Sequence, residues 1–194
     1  MEQKDLKLFC NMPILETERL ILRRIVPSDL EDVYAYSSDP SVPRYLLWYP
    51  HSSRKQTAQY LKLIDKKYKK AEFYDWGVVI KSDNRLIGTC GFTSFSIENN
   101  SAEIGYVINS SYWGRGIAAE AARAVVTFGF EALRLNRIEG NFMPENHSSR
   151  RVLEKCGMRS EGIRRQAMYA KSTYIDIETC AITYSDYKTI TSVE

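Results

Sequence analysis

Between residues 113 and 119 the chain reads Trp-Gly-Arg-Gly-Ile-Ala-Ala, a glycine-containing bend that runs straight into an apolar-periodic segment. Gly114 and Gly116 let the backbone approach a ligand closely and take positive φ at small cost. The first N–H groups of a helix have no partner within it, and the helix dipole adds partial positive charge at that end. An anion satisfies both conditions, a pyrophosphate best of all. Arg115 adds a full charge beside it, and each hydrogen bond to a charged group contributes about 1.5–3 kcal/mol. The same glycines would equally serve a tight turn that brings helix and sheet close.

Two pyrophosphate ligands compete for this bend. Gly114, Gly116 and Ala119 fit the G-x-G-x-x-A pattern of dinucleotide sites, and Glu139 falls roughly 20 residues on, where a ribose-binding acid belongs. That fold opens with its fingerprint and then builds parallel crossovers. Here a long antiparallel stretch precedes the bend, a hairpin ends the chain, and the loop from Ile108 to Gly114 is long for a first dinucleotide turn. An NAD-type oxidoreductase is therefore the second reading.

The elements that position the bend follow from pattern. Leu20–Ile25 reads as a strand. Ser28 with Glu31 forms a capping box opening a helix to about Ser38, and Ser53 with Gln56 opens another bearing Leu61, Ile64 and Tyr68 on one face. Between them lies an aromatic loop, residues 40–51, with Tyr45, Trp48 and Tyr49. Trp76–Ile80, Leu86–Phe92 and Ala102–Ile108 are strands, the last with Ile104, Tyr106 and Ile108 on one face and Glu103, Gly105 and Val107 on the other. Ile117, Ala121, Val125, Phe128, Ala132 and Leu135 repeat at helical spacing opposite Glu120, Arg123, Thr127, Glu131 and Arg134. Arg137–Phe142 is a strand, Asn146 caps a short helix closed by Gly157, and strands around 159–169 and 174–183 form a hairpin. The order implies a mixed, mostly antiparallel sheet flanked by helices, in a single α/β (α+β) domain.

Composition fits one such domain. The 194 residues are 44% hydrophobic and 26% charged, with a net charge of +3, which excludes disorder and gives no reason to invoke nucleic acid. No apolar stretch approaches a membrane span, and the N-terminus lacks a secretory centre. Cys10, Cys90, Cys156 and Cys180 are scattered without metal-ligand spacing, so reduced thiols in a cytoplasmic protein and no metal are expected. Cys156 reads as a small buried hydrophobe with no activating partner placed beside it by sequence. His147 reads as an exposed residue near a helix cap.

Four segments together resemble the GCN5-related N-acetyltransferases (GNAT), and among them the ribosomal-protein N-terminal acetyltransferases. They are Glu16-Thr-Glu-Arg-Leu-Ile-Leu-Arg23, Ala102-Glu-Ile-Gly-Tyr106, Tyr112-Trp-Gly-Arg-Gly-Ile-Ala-Ala-Glu-Ala121 and Glu145-Asn-His-Ser-Ser-Arg-Arg-Val-Leu-Glu-Lys-Cys-Gly-Met158. The resemblance implies a domain over residues 15–184, with an N-terminal extension at 1–14 and a tail at 185–194. It implies a sheet splayed near its centre with acetyl-CoA in the gap. Gly114, Arg115, Gly116, Ile117, Ala118 and Ala119 would cradle the pyrophosphate. Backbone of Tyr106, Val107 and Ile108 would pair with the pantetheine arm, Asn146 would touch that arm, and Ser149 would lie near the sulfur. The partner it implies is an amine acceptor, protein N-terminus or small molecule, with no direct nucleic acid and no membrane; a homodimer is compatible with it. The chain departs from the pattern at Leu153, in place of the Tyr that commonly protonates the thiolate, and at Met168, where some ribosomal members carry a carboxylate.

The implied reaction is direct attack of a primary amine on the thioester. An α-amine with pKa near 8 is roughly one-tenth neutral at pH 7, a lysine below about a tenth of a percent, so an N-terminal acceptor asks less of a base. Glu103, beside Gly105, is the candidate base through water, with a solvated strand carboxylate as the bland alternative. Ser149 is the candidate donor to the sulfur. Tyr45, Trp48 and Tyr49 are the candidate substrate wall, and Arg164, Arg165 and Lys171 would favour an acidic target. A CoA-binding sensor without turnover is the third reading.

Overall fold

The computed structural model describes residues 3–192. Eight strands form one open mixed sheet: β1 (Leu15–Glu16), β2 (Leu20–Arg23), β3 (Tyr74–Ile80), β4 (Arg85–Ser96), β5 (Ser101–Ile108), β6 (Arg137–Phe142), β7 (Arg159–Ala170) and β8 (Thr173–Thr183), in the order β1-β2-β3-β4-β5-β6-β8-β7. All neighbours run antiparallel except β5 and β6. A dinucleotide fold needs a doubly wound parallel sheet, and this topology removes that alternative.

The helices are α1 (Leu30–Ser37), α2 (Arg54–Tyr68), α3 (Ile117–Glu131), α4 (His147–Lys155) and α5 (Tyr184–Thr191). α3 covers the sheet face that carries Trp76, Phe92 and Ile138: the ring of Phe128 stands 5.3 Å from that of Trp76, and Gly129 sits against Ile138 and Phe92. α4 lies on the same face, with Leu153 seated where Gly140 leaves space. α1 and α2 cover the opposite face over β2–β4, burying Val33, Tyr36, Leu61, Ile64 and Tyr68. Along β5 and β6 that second face stays open. Ala102, Ile104, Ile138 and Gly140 are buried, while Glu103, Gly105, Glu139 and Asn141 are half-exposed.

Several local expectations shift. Pro27–Asp29 is a 3-10 turn, and Asp29, not Ser28, is the residue that precedes α1; its carboxylate accepts from Val26 N at 2.8 Å, at the start of the turn. Arg23 grips the same carboxylate through two nitrogens at 2.9 and 2.7 Å, a forked ion pair that fixes its orientation. Glu31 turns away to Arg54. At α2, Ser53 Oγ accepts from Gln56 N as expected, but Gln56 Oε1 reaches Ser52 N at 2.8 Å instead of closing the box on Ser53. α3 stops at Glu131, short of Leu135, with Arg134 in the left-handed region (φ 54°). Both chain ends carry structure unsignalled by sequence pattern: a 3-10 helix over Gln3–Asn11 that buries Phe9 completely, and α5, whose Tyr187 stacks on Phe130 at 4.8 Å. Among the described residues no helix is long and apolar enough to cross a membrane.

Candidate active site

β5 and β6 are hydrogen-bonded only at their starts, through Ser101↔Arg137, Ala102↔Ile138 and Glu103↔Glu139. Beyond Glu103 the two strands part. Strand edges that separate leave N–H and C=O groups seeking partners, and a cleft of about 510 Å³ opens beside them. Its lining brings together Tyr106, Val107 and Ile108 from β5, Gly114, Gly116, Ile117, Ala118 and Ala119 from the bend, Asn146 and Ser149 from the start of α4, and Tyr45 from the loop before α2.

The bend has the backbone that its glycines allow. Gly114 takes φ 73° and Gly116, the residue capping α3, φ 76°. Nothing would meet a side chain at Gly114, so the requirement there is conformational rather than steric. No N–H from Gly114 to Ala119 donates to a described residue; the first helical bond is Glu120 N to Gly116 O at 3.0 Å. Successive free amides at a helix start form a cradle for an anion. Arg44, Arg151 and Lys155 also line the cleft, and no carboxylate does.

An outer clamp, absent from the sequence reading as a site, holds this bend. Arg19 donates through Nη1 to the Arg115 carbonyl at 3.0 Å and through Nε to Glu120 Oε2 at 2.7 Å. Thr17 Oγ1 donates to Glu120 Oε1 at 2.5 Å. Burial works against the Glu120 carboxylate, but the bonds from Thr17 and Arg19 outweigh it and hold its pKa below the usual range. A carboxylate in the first turn is thereby turned away from the free amides. Arg115 itself is exposed, its guanidinium over the Tyr112 ring at 5.3 Å, and is not part of the lining.

On α4, Asn146 caps the helix, accepting from Ser149 N at 3.2 Å and Ser148 Oγ at 2.8 Å. The Tyr106 hydroxyl lies 2.8 Å from Ser149 Oγ and 3.0 Å from the Ser149 carbonyl, and its single proton serves one of them at a time. Burial pushes the Tyr106 phenol well up, keeping its proton in place. Leu153 is 1% exposed against Gly140 and offers no proton. Trp113 Nε1 occupies the Ile108 carbonyl at 2.7 Å, so within the expected pantetheine-pairing stretch that group already has a partner.

The remaining candidates are apart from this lining. Glu103 sits on the open face where the strands begin to part. Burial raises its pKa, Asn141 and Thr93 hydrogen-bond to it and pull the other way, and the neighbouring Glu139 charge adds to the rise. Trp48 packs toward His51 at 5.8 Å, and Tyr49 is exposed with Lys171 Nζ 5.5 Å from its ring. Lys171, from the β7–β8 tip, donates to the Pro43 carbonyl at 2.6 Å and so latches the hairpin to the aromatic loop. Arg164 and Arg165 are exposed on β7, Met168 faces Ile175, and His147 is exposed. Burial raises the Cys156 thiol to about 12, leaving no thiolate for a nucleophile. Among the described residues no group of three or more His, Cys, Asp or Glu side chains is placed to hold a metal.

Residues 19–159 match the family model described as an acetyltransferase (GNAT) domain. The chain is 34% identical to an N-acetyltransferase of Bacillus licheniformis, p20, over 91% of this chain and 99% of that one. It is 24% identical to the [ribosomal protein uS5]-alanine N-acetyltransferase of Escherichia coli over 89% and 92%. A GNAT-family acetyltransferase structure from Bacillus anthracis superposes with a TM-score of 0.79 at 31% identity, over 89% of this chain and 99% of that one. A ribosomal L7/L12 α-N-protein acetyltransferase solved with coenzyme A shares the fold, with TM-score 0.76 at 22% identity over 88% and 98%.

Proposed function

The chain belongs to the GNAT acetyltransferase family and is an N-acetyltransferase using acetyl-CoA; from that premise we propose that it acetylates a primary amine by direct transfer in a ternary complex. The observation that carries this reading is the run of free amides from Gly114 to Ala119 at the mouth of the strand gap. It fits a diphosphate, and the cations Arg44, Arg151 and Lys155 fit the rest of a polyanionic coenzyme.

Acetyl-CoA supplies the acetyl thioester. The free edge of β5 at Tyr106 and Val107 pairs with its extended arm as an added strand would, and the Val107 N–H steadies the charge that develops on the carbonyl oxygen. Glu103 takes the acceptor's proton through water. Its raised pKa brings it closer to neutrality than an ordinary carboxylate and so closer to a base's working range. Ser149 Oγ, held 2.8 Å from the Tyr106 hydroxyl, hydrogen-bonds to the departing thiolate, the contact that Leu153 cannot make. Cys156, protonated, takes no part, in keeping with direct transfer.

For the acceptor, the ribosomal-protein relatives point to the α-amine of a protein N-terminus. The chemistry agrees, since an α-amine is neutral far more often than a lysine at pH 7. Thiol release from acetyl-CoA, followed against a panel of N-terminal peptides and small amines, tests the reading. Release dependent on an amine supports it; a protein that binds coenzyme A yet releases no thiol with any amine is instead the sensor.

A further inference from the structure

Asp75, on β3, lies outside the machinery above. Its neighbours Tyr74 and Trp76 join the aromatic cluster on the α3 face, so Asp75 points to the α1–α2 face. Its Oδ1 leans into the space where Gly91 has no side chain, 2.7 Å from the position a Cβ would take. Asp75 pairs with Gly91, and Gly91 with Gly105, in one row across β3, β4 and β5. That row ends beside Tyr106, at the edge of the strand gap.

The carboxylate is half-buried and has no hydrogen bond or ion pair with any described residue. Arg23 and Arg24, the basic residues nearest along β2, are committed to Asp29 and Asp65. Three phenols feel the Asp75 charge: Tyr68 is committed to the Asp75 carbonyl at 2.6 Å, while the hydroxyls of Tyr36, from α1, and Tyr60, from α2, have no described partner. Tyr60 and Trp48 flank the His51 ring, each at 5.8 Å. His51 brings no competing cation, because its Nδ1 lies between Ser37 and Thr57 hydroxyls and burial lowers its pKa. Burial alone raises Asp75 to about 7. A carboxylate and two hydroxyls, none with a described partner, suit an ammonium, which can donate to all three.

We propose that Asp75, with Tyr36 and Tyr60, seats a second protonated nitrogen of the acceptor, distinct from the nitrogen that is acetylated. The inference rests on the acetyl-transfer reading and narrows its substrate class. The acceptor carries an ammonium one to two strand spacings, about 5–10 Å, from its reacting amine. A free diamine and an N-terminal peptide with a nearby lysine both offer that chemistry.

Two matched pairs test it: cadaverine against n-pentylamine, and an Ala-Lys peptide against Ala-Ala. The dicationic member of at least one pair is expected to show a kcat/KM about tenfold higher or more, as one charged hydrogen-bonded contact gives. Which pair responds identifies the source of the ammonium. In Asp75→Asn the advantage collapses toward unity, and in Tyr36→Phe and Tyr60→Phe, which keep the rings, it shrinks. Calorimetric binding of the responsive dication to the coenzyme-A-loaded protein reads the subsite without turnover. Asp75-dependent binding without any acetylation would overturn the acetyl-transfer reading and leave the subsite standing. Equal rates and equal binding within both pairs, or an equal loss for mono- and dications in Asp75→Asn, would overturn the subsite.

Discussion

The Tyr106 hydroxyl and Ser149 Oγ, from a sheet strand and a helix on opposite walls of the cleft, are 2.8 Å apart. When the Tyr106 proton points to Ser149 Oγ, the serine proton is free for a third atom, and the sulfur of a bound thioester is the one the mechanism supplies. The pair acts as a unit, so its parts should not add. Tyr106→Phe and Ser149→Ala are each expected to lower kcat by about 10–100-fold, within the range for acid catalysis. The double variant should be little worse than either single one. Multiplicative losses in steady-state kinetics would separate the two residues.

The glycine bend should be sensitive in coenzyme affinity and insensitive in chemistry. Gly116→Ala forces a Cβ into a left-handed backbone of φ 76°, which costs about 1–2 kcal/mol. If the strain is relieved by moving the amides, the Kd for coenzyme A rises by about tenfold. Isothermal calorimetry reads the affinity, and kcat at saturating acetyl-CoA should fall by much less.

Arg19 should matter as a positioning residue. It bonds the Arg115 carbonyl and Glu120 from outside the cleft and lines no part of it. Arg19→Met keeps the stem and removes both bonds. The expected outcome is a raised Kd for coenzyme A with an unaltered kcat pH profile. An unchanged Kd would mean that the bend holds its shape unaided.

Stability should fall with rising pH through Asp75. Its carboxyl ionises near 3.8 when exposed and, because of burial, only at about 7 in the folded chain. Between those values the folded state holds the extra proton, so unfolding is increasingly favoured as pH rises and levels off above about 7. Asp75→Asn removes that penalty. Its Tm should exceed the native one at pH 8 by several degrees and match it near pH 4. A Tm difference that does not change with pH would contradict the assignment.

Much of this arrangement is legible locally. The spacing of Ile117, Ala121 and Val125 gives α3, Asn146 and Gly157 bracket α4, and β6 follows its alternation to the residue. What local pattern misses is decided by distant partners. α1 starts after Asp29, not at Ser28, and the Asp29 carboxylate is held by Arg23 from β2. Phe9 lies in a segment with no repeating stripe, yet it fills a pocket among Tyr74, Trp76 and Phe128. Arg19 sits within a motif visible in sequence, but its grip on a bend far along the chain appears only in three dimensions. Asp75 falls just before the strand read at Trp76–Ile80, and its place against Gly91 appears only in the fold.

A crystal structure with coenzyme A tests most directly whether the amides from Gly114 to Ala119 hold the diphosphate. Diphosphate oxygens are expected within about 2.7–3.2 Å of several of those nitrogens, with the arm running along Tyr106 and Val107. A coenzyme bound elsewhere, its phosphates away from that bend, would contradict the account.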